Sequence, residues 1–426
     1  MNSRGFTMVE LLIATAIFTI ILTGLTIAFI QQQKQSTFTQ EDIDLDQTGR
    51  AALNYIASEI RNATARQGKP FSLIFVNGGS SSTGCTTTNT TKPGTVNSPP
   101  DCLMIFTWDI TRGENSGQPA NPLAPRFPSV PGVVSIVSPG PPLKLQLPSD
   151  WFKNPDGTSL TIPLLQAGDL LGFRSRINLC SPDPNINCGT QPKSCTECSV
   201  ILSVSTVDTT NQQATIADNV SSIVEENFPV SSFSSMSSFI NGVTVNGVNY
   251  GFIPTIASQT SEMTIVRSRT FSVDTTSRQL EMQQNGAGSF QPIAGGSDAP
   301  GIVDLQFVFN LQDTDGGVTK VGVCSSSSCK DTTKRMFSDF SADPSLLGRQ
   351  KDIRSVEIYL LVRSRVKPLL TEGLRIPVQT ITGIGDVPQR TTSTTSDTFP
   401  SLGAGYIYKV FSTTVYIRNM AREDFG

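Results

Sequence analysis

Residues 6–30 read FTMVELLIATAIFTIILTGLTIAFI, an apolar run of 25 residues interrupted by a single charge, Glu10. As an α-helix such a run extends about 37 Å, enough to cross a bilayer with some tilt. A secretory signal has a shorter apolar core, about 7–15 residues, followed by a small-residue cleavage site. Here the run is longer, and no Ala-x-Ala pattern follows it. The segment ahead of it, MNSRG, carries one cation, Arg4. That cation favours a cytoplasmic N-terminus and places everything after Ile30 across the membrane.

A charge inside such a run costs at least a few kcal/mol and calls for a partner or a purpose. Glu10 sits near the end of the span, so snorkelling offers a bland alternative. Thr15, Thr19 and Thr23 fall at i, i+4 and i+8. Such a small, weakly polar stripe lets membrane helices approach closely. The competing reading is that each hydroxyl bonds back to its own helix.

Composition removes several functions. There is no histidine, which excludes Ser-His-Asp and Cys-His catalysis and imidazole metal sites. The net charge is −3, which argues against a general nucleic-acid surface. No Walker A loop, dinucleotide-binding glycine pattern or nucleophile elbow occurs. The expectation is a protein that is not an enzyme and needs no cofactor. Charged residues are 16% of the chain, with 34 Gly and 27 Pro. That balance suits short strands joined by loops better than a helical bundle.

Gly5-Phe6-Thr7-Met8-Val9-Glu10-Leu11-Leu12 resembles the class III signal of type IV pilins and pseudopilins. The resemblance implies cleavage by a prepilin peptidase after Gly5, N-methylation of the new terminus at Phe6, and a role for Glu10 in assembly. The physics agrees with that role. Cleavage creates an amine at Phe6 beside lipid, and a carboxylate one turn away pairs with it or with the amine of a neighbouring subunit. Pairing removes two penalties at once.

No proline occurs before Pro70, so one long helix over residues 6–66 is allowed. Ala52, Leu53, Ile56, Ala57 and Ile60 lie on one face, and Asp46 with Arg50 makes an i, i+4 pair. Residues 31–47 are polar and poorly periodic, which allows a break there. The acidic run Glu41, Asp42, Asp44 and Asp46 reads as a solvated surface. Beyond the helix, Val303, Leu305, Phe307, Phe309 and Leu311 alternate with Asp304, Gln306 and Asn310. Val356, Ile358, Leu360 and Val362 alternate with Glu357, Tyr359 and Arg363. Further strands are read at 71–76, 103–110, 143–147, 169–174, 200–207, 263–273 and 406–417. Loops rich in Ser, Thr, Gly and Pro separate them, at 78–100, 113–131, 231–238, 325–328 and 391–401. No internal repeat is read.

The predicted fold class is therefore α+β: a long N-terminal transmembrane and amphipathic helix packed on a large antiparallel β-rich head. Residues 1–5 form a leader, 6–30 the membrane helix, 31–66 its amphipathic continuation and 67–426 the head. Eight cysteines, Cys85, Cys102, Cys180, Cys188, Cys195, Cys198, Cys324 and Cys329, all follow the membrane segment. An even number in an oxidising space favours disulfides. Nearness pairs Cys85 with Cys102 and Cys324 with Cys329, leaving the four from 180 to 198 to pair among themselves. A four-thiolate zinc site from Cys180, Cys188, Cys195 and Cys198 is the sharper alternative, but only one CxxC is present; a thioredoxin-like redox motif ranks below it. Asp313, Asp315 and Gly316 resemble the start of a calcium loop, yet Cys324 stands where its last acid belongs, so a hairpin turn is preferred.

Three further segments narrow the resemblance. Residues 52–63, ALNYIASEIRNA, are similar to the helix end of PilW-type minor pilins and J-type pseudopilins. Ile302–Phe307 with Asp313-Thr314-Asp315-Gly316 resembles a PilW hairpin, and residues 356–363 and 415–419 resemble its last strands. This implies a minor pilin that primes or caps a type IV pilus. Its partners would be other pilins, the prepilin peptidase, the inner-membrane assembly platform and membrane lipid, with no nucleic acid. The precursor would sit in the inner membrane with the head outside the cytoplasm, and the mature chain in a surface pilus, near its tip. A J-type pseudopilin of a type II secretion system and a pilus-tip adhesin are the alternatives. A membrane-anchored hydrolase ranks below both.

Overall fold

The computed structural model describes residues 7–64, 73–76, 100–108, 130–132, 136–138, 142–147, 151–152, 158–159, 165–175, 198–217, 224–226, 243–245, 248–250, 261–284, 287–313, 315–321, 335–336, 353–365, 379–381, 383–384, 387, 389–393 and 402–417. A single helix, α1 (Met8–Thr64), runs unbroken through the polar stretch in which a break was allowed. Propensity explains this. Residues 31–47 contain no proline or glycine, and their glutamines and lysine are good helix formers. Periodicity is lacking because residues 31–40 are exposed but for the half-buried Lys34, so no buried face selects apolar residues among them.

The principal strands, in chain order, are β1 (Cys102–Trp108), β2 (Leu170–Ser175), β3 (Cys198–Asp208), β4 (Gln213–Ile216), β5 (Ser261–Asp274), β6 (Gln279–Gln284), β7 (Ala287–Gly295), β8 (Gly301–Gln312), β9 (Val318–Val321), β10 (Ile353–Arg363) and β11 (Tyr408–Tyr416). They form an α+β head of antiparallel sheets. In the larger sheet β1, β5, β2, β3 and β4 are successive neighbours, with β6 and β7 branching from β5. The second sheet has the order β9-β8-β10-β11.

Both sheets close on the outer half of α1. Leu45, Leu53, Ile56 and Ile60 from the helix join Leu103, Ile105 and Phe271 of the larger sheet and Phe307, Phe309, Ile358 and Leu360 of the second in one buried core. Each such side chain contributes about 1.5–3 kcal/mol on burial. Tyr55 bridges the layers: its ring meets Phe271 edge-on at 5.9 Å, and its hydroxyl donates to Met282 Sδ at 3.6 Å. Asp101 joins the two sheets. Its N–H donates to Leu305 O at 2.8 Å, and its carboxylate accepts the Phe307 N–H at 2.8 Å.

Alternation in β8 misleads at one point. A register shift between Ile302 and Asp304 bulges Val303 out. Ile302 then takes the core position, and Val303 joins an outer cluster with Leu361, Ile384 and Tyr408. Asp304 and Gln306, read from the pattern as the polar face, are fully buried. A strap of short strands (Thr380–Ile381, Arg390–Ser393 and Leu402–Gly403) supplies part of the cover. Its Arg390 pairs with Asp304, which also accepts from Gln306 Nε2 at 3.0 Å. The outer rows of an alternating strand are polar only when nothing packs on them, and here a later segment does.

Further along that face, Glu357 accepts from Asn310, Lys320 and Tyr359 at 2.9, 3.0 and 2.7 Å. Partial burial raises the Glu357 carboxyl, but these three donors outweigh it and hold the group below its usual range. Burial and this carboxylate together push the Tyr359 phenol up to about 12.

Two hairpins of the larger sheet share a turn sequence. Residues 207–213, VDTTNQQ, and 273–279, VDTTSRQ, close the β3–β4 and β5–β6 hairpins in the same way. Asp208 and Asp274 each accept the N–H two residues on, at 2.9 and 2.8 Å. Gln212 and Arg278 both take positive φ, 55° and 57°. At Asp208 the bonds from Asn211, with a smaller one from Thr210, hold the carboxyl below its usual range.

Gly49 fixes how closely the helix lies on β11. A Cβ built there falls within 3.0 Å of three ring carbons of Phe411. Gly49→Ala should therefore lower stability by about 1–3 kcal/mol through overpacking, against a helix-propensity gain of about 1 kcal/mol. The check is thermal unfolding of the single variant beside Gly49→Ala/Phe411→Ala. A non-additive pair, in which the second change recovers part of the first loss, is expected.

Candidate functional site: the N-terminal stem

The first half of α1 is a stem. From Met8 to Ile30 the described side chains are all exposed, and the apolar stretch is long enough to cross a membrane. Met8, Leu12, Phe18, Ile20 and Leu25 lie open in the isolated chain. So large an apolar surface is tolerated only in lipid or against other chains.

Gly5 and Phe6, the cleavage and methylation positions, lie outside the described residues. The described residues begin at Thr7, which caps α1. The Thr7 N–H donates to Glu10 Oε2 at 2.9 Å, and the Glu10 N–H returns to Thr7 Oγ1 at 3.3 Å. The Thr7 hydroxyl also donates to Glu10 Oε2 at 2.9 Å. This is a reciprocal capping box, which satisfies two of the four orphan amides of a helix N-terminus and places a carboxylate at its positive end. Thr-x-x-Glu before an apolar run is a readable signature that the expectations above do not include. Glu10 is thus partly compensated within its own chain, with Oε1 making no bond to Thr7.

The hydroxyls of Thr15, Thr19 and Thr23 bond back to the carbonyls of Leu11, Thr15 and Thr19 at 3.0, 2.7 and 2.8 Å. Of the two readings given for this stripe, the isolated chain adopts back-bonding. It leaves the hydroxyl protons satisfied and the stripe narrow.

At the root of the stem the acidic run is not a solvated surface. Glu41 is only 2% exposed; it accepts the Arg365 N–H at 3.0 Å and faces that guanidinium at 3.6 Å. Lys409 of β11 reaches Asp42 at 2.5 Å and Asp46 at 3.1 Å. Asp46 also lies 3.9 Å from Arg50, the expected i, i+4 partner. Deeper in, Glu59 pairs with Arg269 of β5. The helix carboxylates are the anchor points of a stem set into a head. Apart from the local Asp46–Arg50 pair, sequence could not show this, because each head cation they meet is more than 200 residues away.

Cys102, fully buried at the start of β1, is disulfide-bonded. The side chains of the other seven cysteines lie outside the described residues, and with them the expected pairings and the zinc alternative. Asp313 and Asp315 serve a turn: Asp313 N–H donates to Gly317 O at 2.9 Å, Thr319 donates to Asp313 Oδ2 at 2.7 Å, and Gly316 has φ 85°. Among the described residues no three His, Cys, Asp or Glu side chains gather as a metal site.

Residues 1–26 match the family model described as the prokaryotic N-terminal methylation motif. No curated protein matches the chain. Among solved structures it is similar to the type IV-like pilin TTHA1219 from Thermus thermophilus, at 14% identity over 37% of this chain and 70% of that one, with a TM-score of 0.18.

Two outcomes follow. Thr7→Val should free the first turn, costing about 1 kcal/mol; exchange of the first-turn amides in detergent micelles should quicken about fivefold, with the head unchanged. At the root, burial lowers the Lys409 pKa, but Asp42 and Asp46 outweigh it and raise the group above its ordinary value. Its contribution is fully present below the unfolded lysine pKa and is lost as pH rises through the folded one. Lys409→Met should therefore remove a step of stability loss above about pH 10 in alkaline unfolding curves.

Proposed function

We propose that this chain is a minor pilin of the PilW type, which primes or caps a type IV pilus. Prepilin peptidase cuts it between Gly5 and Phe6, and the mature stem enters the filament or its initiating complex. The observation that carries the reading is the stem itself. An apolar half-helix, exposed throughout among the described residues, is opened by the Thr7–Glu10 cap, and most of it falls within residues 1–26, the segment matching the methylation motif. The role is structural rather than catalytic.

Glu10 is the register device. In the precursor it accepts from Thr7; in the assembly it meets the Phe6 amine of a neighbouring subunit. Thr15, Thr19 and Thr23 line the face along which stems approach. The membrane holds the precursor with its head outside the cytoplasm, and the assembly platform draws the stem out. A head of 360 residues, 67–426, fits a filament end better than a repeating shaft, where every subunit is surrounded. Cys85–Cys102 remains the proposed pairing for the bonded Cys102.

The test is a Glu10→Ala chain expressed beside the wild-type pilins, with sheared filaments and membranes assayed separately. Loss of an ion pair worth at least about 1.4 kcal/mol should lower the filament-borne fraction about tenfold or more, with normal membrane levels. Wild-type incorporation of Glu10→Ala would sink the assignment.

A further inference from the structure

Among the described residues the second sheet ends on β11, and this edge differs from β7 and β9. The β10–β11 register runs without a shift from Ser355↔Tyr416 to Arg363↔Tyr408. Ser364 N–H donates to Ile407 O and Ile417 N–H to Arg354 O, both at 2.8 Å. In an antiparallel ladder the hydrogen-bonded residues alternate, so the odd-numbered residues of β11 bond to β10. Val410, Ser412, Thr414 and Tyr416 therefore turn their N–H and C=O groups away from the sheet. No strand lies beyond them among the described residues, and all four side chains are exposed, Tyr416 by 72%.

Exposed edges invite pairing, and proteins blunt them with proline, bulges, shortness or charge. This chain does so elsewhere. β7, the end of the larger sheet's branch, carries Pro292 and faces two register shifts. β9, the opposite edge of the second sheet, has four residues. β11 has nine residues, no proline, no bulge and no outward charge. Its one cation, Lys409, is held by Asp42 and Asp46 on the helix side.

We propose that β11 is a strand-addition site, taking an extended, proline-free, uncharged segment of a different polypeptide that continues the β9-β8-β10-β11 sheet. Main-chain bonds to residues 410–416 supply affinity. Alternate side chains of the incoming strand lie over the row of Val410, Ser412, Thr414 and Tyr416, where β-branched and hydroxyl residues pair best. A second copy of this chain is not the occupant, because of stem direction. Lys409 meets Asp42 and Asp46, and Phe411 meets Gly49, so β11 and α1 run the same way. In the antiparallel pairing that strands favour, a second copy would point its stem away from the membrane. That choice of occupant rests on the pilin reading; the open edge does not.

The test uses the full chain in detergent micelles and a synthetic peptide of alternating valine and threonine flanked by lysines. At saturation, amide exchange at Ser412 and Thr414 should slow about tenfold or more, with the 411 and 413 amides, already bonded, unchanged. Ser412→Pro should abolish the effect without lowering the melting temperature, since that N–H serves no internal bond. Thr414→Lys, which keeps the backbone intact, should weaken it too. No added protection, or protected Ser412 and Thr414 amides in the isolated chain, overturns the site. Pairs of copies in sedimentation that Thr414→Lys dissolves overturn the occupant. If Glu10→Ala enters filaments normally while the peptide protects the edge, the pilin reading falls and the edge stands.

Discussion

One helix must satisfy two environments, and the packing of its outer half on two sheets makes that possible. From Leu45 to Ile60 the helix buries a complete apolar face. Over residues 8–30 the same helix buries nothing. An isolated amphipathic helix gains little from propensity alone, so the head's core is what holds the outer half helical and fixes the stem's direction. Gly49 allows the close approach to Phe411 that aligns stem and strand. Glu41, Asp42, Asp46 and Glu59 then lock the helix to cations on both sheets. If that docking loosens, the stem loses a defined angle to the head.

The two ends of this helix use carboxylates for opposite purposes. At the root, acids are paired with cations of the head and are spent on holding the subunit together. At the tip, Glu10 bonds only locally, to Thr7 of its own first turn. A carboxylate with a local hydrogen-bond partner is cheaper to keep in lipid than a bare one. The capping box therefore ties helix initiation to the one charge in the apolar stem.

Much of this was legible in the sequence, wherever local rules act. The apolar run, the absence of proline before Pro70 and the spacing of Leu53, Ile56 and Ile60 give the helix and its buried face. Alternation in residues 303–311 and 356–362 gives the two central strands of the second sheet. What escaped depends on contacts between distant segments. The strap that buries Asp304 and Gln306 comes some 80 residues later, at Arg390, so a polar row passed for a wet one. The bulge at Val303 is invisible to a strict two-residue period. Polar β6, QLEMQQ, has no strand pattern and forms because the 273–279 turn returns it to β5. The acids at 41–46 looked solvated because Lys409 and Arg365 lie at the other end of the chain. Thr7 is different: its capping signature was local and readable.

The central claim is that the stem is a processed docking element rather than a permanent anchor. N-terminal sequencing with intact-mass analysis of the chain recovered from sheared surface filaments tests it most directly. The account predicts a chain starting at N-methylated Phe6. A filament-borne chain still beginning at Met1, or a chain found in membranes alone, would contradict it.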